Sequence, residues 1–203
     1  MFSRLIIAAL GAAALLQGCS TQPVTKLEMS WVSPQLPKEP FKKLLILSVA
    51  REDFVQVAFQ DQLAAALQAR GINAVASKRY FTSGTDVAKA RFKQTIDESG
   101  ADFVLIAHVL GRDTKTRDDQ FMTFGDATGI YTAYDRYVSV ARSANDYSSE
   151  TVTAEVAIFR VEGQQRIWAA RTRTDNPRTT SGEEFAPRYI EVILEAMKKD
   201  KLF

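Results

Sequence analysis

The chain of 203 residues has a single cysteine, Cys19, and a single histidine, His108. One thiol makes no internal disulfide, and a zinc site drawing several nitrogen or sulfur ligands from Cys and His has too few to use. A nucleophile–histidine arrangement would have to be built on His108 alone. That residue lies inside the apolar run Phe103 to Leu110, where a ring satisfied locally in the core is the expected state. Glycine is sparse as well, and no phosphate loop exists: Gly125 and Gly129 stand apart and do not lead a strand into a helix. Neither sign of charge is in excess. Lys and Arg number 26 against 24 Asp and Glu, which gives no electrostatic basis for binding nucleic acid. No cofactor, metal or catalytic residue is expected.

What the chain does have is concentrated first at its N-terminus. Arg4 is followed by the uncharged stretch Leu5 to Leu16, then Gln17, Gly18 and Cys19. That stretch suits a secretory apolar segment and is shorter than the roughly 20 residues that span a bilayer. The ending Leu16-Gln17-Gly18-Cys19 resembles the lipobox of bacterial lipoproteins. The resemblance implies cleavage after Gly18, a diacylglyceryl group on the Cys19 sulfur and a further acyl chain, palmitate or similar, on the new amine. More than one buried acyl chain converts marginal membrane binding into stable anchoring. Ser20, rather than Asp, comes next, and resemblance to Gram-negative lipoproteins then implies the outer membrane, facing the periplasm. An ordinary signal peptide with an incidental cysteine and an uncleaved anchor helix are the alternatives.

Without residues 1–18 the formal charge is +1 and about 185 residues remain, the size of one domain. Such a chain buries around 70% of its unfolded surface. Residues 19–40 read as a lipidated tether, kept extended by Pro23, Pro34, Pro37 and Pro40, with Trp31 expected to pack back onto the domain. The domain proper is expected over 41–203. Leu44 to Val49 is a continuous apolar run, as in a strand buried on both faces. Asp53 to Arg70 is helical, with Val55, Phe59, Leu63, Ala66 and Leu67 on one face and Gly71 as its stop. A short strand at Ile72–Ser77, a helix from Thr85 to Ser99 and a third strand at Asp102–Leu110 follow. This order predicts parallel strands with helical crossovers. Later, Thr151–Val161 and Arg166–Thr174 flank the turn Glu162-Gly163-Gln164 as a hairpin, and a helix runs from about Glu184 to Asp200. The predicted fold is α/β: a mixed sheet, its first three strands parallel and then an antiparallel hairpin, covered by helices in the order β-α-β-α-β-(β)-β-β-α.

Several short stretches carry a wider resemblance: Ser30-Trp31-Val32-Ser33-Pro34, Phe41-Lys42-Lys43, Ala69-Arg70-Gly71-Ile72, Ser99-Gly100-Ala101-Asp102, Ile167-Trp168 and Met197-Lys198-Lys199-Asp200-Lys201-Leu202. Together they resemble a family of uncharacterised Gram-negative lipoproteins, over most of the mature chain. The element order is also similar to that of lipoprotein activators of peptidoglycan synthases and of the periplasmic domain of curli-type secretion lipoproteins. Topology does not transfer function, and no catalytic residue follows from either likeness.

The segment 111–147 is too long for a routine connection and is the leading candidate for a contact surface. It carries Phe121, Phe124, Tyr131, Tyr134 and Tyr137 among Lys115, Arg117, Arg136 and Arg142, a mixture suited to sugars or a protein partner. The alternative places these aromatics in the core, with Tyr137–Ala141 as one more strand. Asp113, Asp118, Asp119 and Asp126 in the same segment leave open a cell-wall hydrolase or a calcium site, though a solvated loop accounts for them more simply. Arg166, Arg171 and Arg173 form a second candidate, an anion-contacting face, or a charged face that protects an edge strand. The expected function is a non-enzymatic, lipid-anchored periplasmic adaptor binding an envelope protein or glycan. The alternative is a subunit of an oligomeric envelope or secretion assembly.

Overall fold

The computed structural model describes residues 23–37, 41–49, 53–80, 89–112, 129–143, 151–175 and 182–203. Six strands, β1 (Val24–Val32), β2 (Leu44–Val49), β3 (Ala74–Ala76), β4 (Phe103–Arg112), β5 (Thr151–Arg160) and β6 (Arg166–Asp175), join one sheet in the order β1-β6-β5-β4-β2-β3. β2, β3 and β4 run parallel, whereas β4–β5, β5–β6 and β6–β1 are antiparallel. The helices are α1 (Asp53–Gln68), α2 (Lys89–Ser99), α3 (Ile130–Ser143) and α4 (Gly182–Lys199). The fold is the α/β mixed sheet that the sequence predicts. Among the described residues, no helix is long and apolar enough to cross a membrane.

All six residues of β2 are buried, because helices cover both faces of the sheet. On one side α1 and α4 pack Leu63, Leu67, Ile190 and Ile193 against Leu44, Ile46, Leu105 and Ile158. On the other, α2 and α3 pack Phe92, Ile96, Tyr134 and Tyr137 against Leu45, Leu47, Ile106 and Phe159. Gly71 ends α1 at φ +82, donating to the Gln68 carbonyl at 2.9 Å while Ile72 donates to the Leu67 carbonyl at 3.1 Å. This left-handed cap turns the chain directly into β3. At the other terminus the buried Trp168 donates from Nε1 to Asp200 Oδ2 at 2.8 Å, tying the end of α4 to β6.

Two predicted features are corrected. The segment read as a tether contains β1, eight of whose nine residues pair with β6, so the sheet takes in residues from Val24 onward rather than from Phe41. Trp31, expected to pack back onto the domain, is half-buried within that strand. The long segment 111–147 begins inside β4 and contains α3, a helix of 14 residues. Tyr137–Ala141, considered as a strand, lies within that helix. Its buried residues are Ile130, Ala133, Tyr134, Tyr137, Val138 and Ala141, the three- and four-residue spacing of a helix face.

Tyr134 is 1% exposed and its ring stacks on Phe92 at 4.2 Å, joining α3 to α2 inside the second core. Replacing it with alanine, Tyr134→Ala, is expected to cost about 3–5 kcal/mol, the range for deleting a buried aromatic. Urea unfolding followed by tryptophan fluorescence reads this directly. A cost under about 1 kcal/mol, the level of a surface substitution, would show that α3 does not hold the core closed.

Candidate functional site

The chemistry-bearing residues converge beneath α3. Cross-strand register places His108 on β4, Glu155 on β5, Arg171 on β6 and Met29 on β1 in one row across the sheet. Side chains so paired share a face. The row lies on the α2/α3 side, continuing the alternation of Val104 and Ile106 on β4 and of Ala157 and Phe159 on β5. α3 lowers Tyr137 onto it. The Tyr137 hydroxyl donates to Glu155 Oε1 at 3.0 Å, and the Tyr137 and His108 rings stack with centroids 3.5 Å apart and planes 22° from parallel. Arg166 lies opposite Phe159, its guanidinium carbon 5.7 Å from that ring's centre.

Burial dominates the electrostatics of this cluster. His108 is 3% and Glu155 and Tyr137 are each 1% exposed. Loss of water pushes the His108 pKa well below its usual 6.5, and the positive charges of Arg166 and Arg171 push it the same way. The Glu155 carboxyl is raised by burial, against the opposing pull of Arg166, the Tyr137 hydrogen bond, Arg171 and Arg136. Tyr137 is held far above the ordinary tyrosine range by burial and by the neighbouring Glu155 charge. The imidazole is therefore neutral at physiological pH, and its Nδ1 is buried with no hydrogen-bond partner among the described residues. No substrate reaches these groups unless α3 lifts. The arrangement is suited to holding α3 on the sheet.

The sequence-predicted contact residues separate into groups. Phe121 and Phe124, with Cys19, Gly18 and the four clustered aspartates, lie outside the described residues. Tyr134 and Tyr137 are core residues, which corrects their assignment to a contact surface. Tyr131 is half-buried and meets Phe92 edge-on at 6.0 Å. The arginines of β6 do not form one solvent face either: Arg166 is buried, Arg171 half-buried and Arg173 exposed. Arg166 therefore belongs to the interior cluster rather than to a surface that meets anions. Sequence reasoning placed His108 in the core but missed its partners, because Glu155 and Tyr137 are 18 residues apart and meet only through the fold. Among the described residues no three His, Cys, Asp or Glu side chains gather as a metal would need. A groove of about 590 Å³ between α1 and α4, lined by Ala66, Arg70, Leu194 and Lys198 among others, is open and mixed in charge.

The sign of the pH dependence follows from the two shifts. Below pH 6.5 the unfolded chain protonates its histidine while folded His108 resists. Stability is thus full above that pH and falls as the medium acidifies, by up to about 1.4 kcal/mol per pH unit. Glu155 acts oppositely, since its folded pKa lies above the unfolded 4.5, and it adds stability as the pH falls through its raised value. His108→Gln is therefore expected to flatten the decline that begins at pH 6.5. Urea midpoints measured from pH 7.5 to 5.5 test this, and equal slopes in the two proteins would refute it. Tyr137→Phe strips a donor from a buried carboxylate, with an expected loss of about 1–3 kcal/mol at pH 7, again read by urea unfolding.

No protein-family model matches the chain, and no curated protein matches it. Among solved structures it is similar to PelC from Paraburkholderia phytofirmans, determined as a dodecamer in two crystal forms. A variant of that protein aligns at 11% identity and TM-score 0.44, over 85% of this chain and 96% of that one. The second form aligns at 13% identity and TM-score 0.44, over 87% and 95% of the two chains. At that degree of overlap the likeness carries no argument about function.

Proposed function

We propose that this chain is a lipid-anchored, non-enzymatic protein of the bacterial envelope, holding an α/β binding domain against a membrane, with the outer membrane indicated by Ser20. The observation that carries this reading is the sequence Leu16-Gln17-Gly18-Cys19, in which the chain's sole cysteine directly follows a short apolar segment. A thioether-linked diacylglyceryl group together with an amide-linked acyl chain gives enough buried methylene for stable anchoring. Confinement to a surface then raises the effective concentration of whatever the domain meets there, so weak contacts suffice. The fold supports the reading in one further respect: β1 begins at Val24, five positions after Cys19, so the proposed anchor and the sheet are adjacent.

Mass spectrometry of the protein isolated from cells is expected to find a mature N-terminus at Cys19 carrying acyl chains. An unmodified Cys19 or an intact Met1 would end the proposal. Cys19→Ala should move the protein from the membrane fraction to the soluble fraction on cell lysis. Turnover of peptidoglycan fragments by the purified protein would overturn its non-enzymatic part.

A further inference from the structure

Among the described residues, no helix packs over one strip of the sheet, on β1. On the α2/α3 side, α3 packs on β4 and β2. Register places Val24, Lys26, Met29 and Trp31 of β1 on that same side, opposite Asp175, Arg173, Arg171 and Ala169 of β6, of which Ala169 belongs to the α2/α3 core. Val24 is 48% and Met29 44% exposed, two of the three large hydrophobics so exposed among the described residues. Trp31 is half-buried and belongs to neither core. Lys26 and Arg173 are exposed on the same strip, Arg173 with Asp175 at 3.1 Å. The composition is apolar and aromatic with two basic side chains, Arg173 shared with the Asp175 carboxylate, and apolar, aromatic and basic groups together suit a membrane interface.

We propose that this strip of β1 lies along the headgroup layer of an anionic membrane, with Met29 and Trp31 at the interface and Lys26 and Arg173 directed to lipid phosphates. The inference rests on the reading of Cys19 as acylated. Its geometric basis is chain length. Val24 follows Cys19 by five positions, and a fully extended chain covers at most about 3.5 Å per residue, so β1 starts within about 18 Å of the acylated residue. The start of β1 is thereby kept near the lipid surface, and a strand laid along that surface brings Lys26 and Arg173 within a Debye length of the phosphates, where their attraction is felt. Strand addition by a second copy is the competing use of this edge. The bulge between Leu27 and Met29, with exposed Glu28 within it, breaks the regular ladder that such pairing requires.

Trp31 is the built-in reporter, because the chain's other tryptophan, Trp168, is fully buried. The lipidated full-length protein is reconstituted into vesicles of phosphatidylethanolamine and phosphatidylglycerol whose acyl chains are brominated near the headgroup. Brominated lipid is expected to quench the wild-type emission and to leave Trp31→Phe, a substitution at a half-buried edge position, unchanged. Lys26→Glu combined with Arg173→Glu should weaken the quenching; if it does not, the phosphate contacts are refuted. Absence of Trp31 quenching in protein whose Cys19 is acylated overturns this inference and leaves the anchor reading standing. A non-acylated Cys19 removes both. Shielding of Trp31 from iodide that grows with protein concentration would assign the strip to a second copy and likewise overturn the inference.

Discussion

β2 and β4 are apolar on both faces, and both faces must be kept from water. Leu44, Ile46 and Leu105 point to one side of the sheet, Leu45, Leu47, Val104 and Ile106 to the other, and none is exposed. At about 25 cal/mol per Å² of apolar surface, leaving either side open would forfeit several kcal/mol, comparable with the whole stability of a domain. Two helical layers are therefore obligatory. The first comes from α1 and α4, which pack against each other and on the sheet. Among the described residues the second has α2, eleven residues long, and α3. That requirement explains why a helix lies in the stretch between β4 and β5.

The buried polar row is the consequence of laying α3 across that second face. Tyr137 brings a hydroxyl into the interior, and an unmatched hydroxyl there is unfavourable by a few kcal/mol. Glu155 accepts from it, and Arg166 and Arg171 on β6 supply the positive charge that keeps a buried carboxylate tolerable. The same arginines make protonation of His108 harder, so charge stabilisation on one strand raises the barrier to charge on another. A cluster of this kind adds little net stability over apolar residues of equal volume, yet breaking one member is costly. It fixes where α3 sits, since the helix can shift only by separating Tyr137 from Glu155.

The parts legible in the sequence were those with an unbroken period. Leu44–Val49 is continuous, α1 repeats at three and four, and the β5–β6 hairpin alternates around Gly163. β1 was hidden because its period is broken. Thr25 and Leu27 point to the α1/α4 side, but after the bulge at Glu28 it is Ser30 and Val32 that do so, and alternation alone does not survive a one-residue slip. Flanking Pro23 and Pro34 reinforced the impression of a tether. α3 was hidden differently. Its spacing is that of a helix, but three tyrosines and two valines in 14 residues favour strands, and the aromatic content drew attention to binding rather than to burial. His108, Tyr137, Arg166 and Arg171 each stood out in the sequence, but Glu155 and their grouping did not, because the members come from four separate elements.

β1 also decides how far toward the N-terminus the fold extends. Without it β6 would be the edge of the sheet, with its unpaired backbone groups and the flank of Trp168 open to solvent. Pairing eight β6 residues with β1 removes that liability, so residues 24–32 belong to the fold thermodynamically and not merely by contact. A flexible tether would let a domain sample all orientations relative to its lipid, with reach growing as the square root of length. Here the chain is hydrogen-bonded into the sheet from Val24, so residues 24–32 do not serve as such a tether.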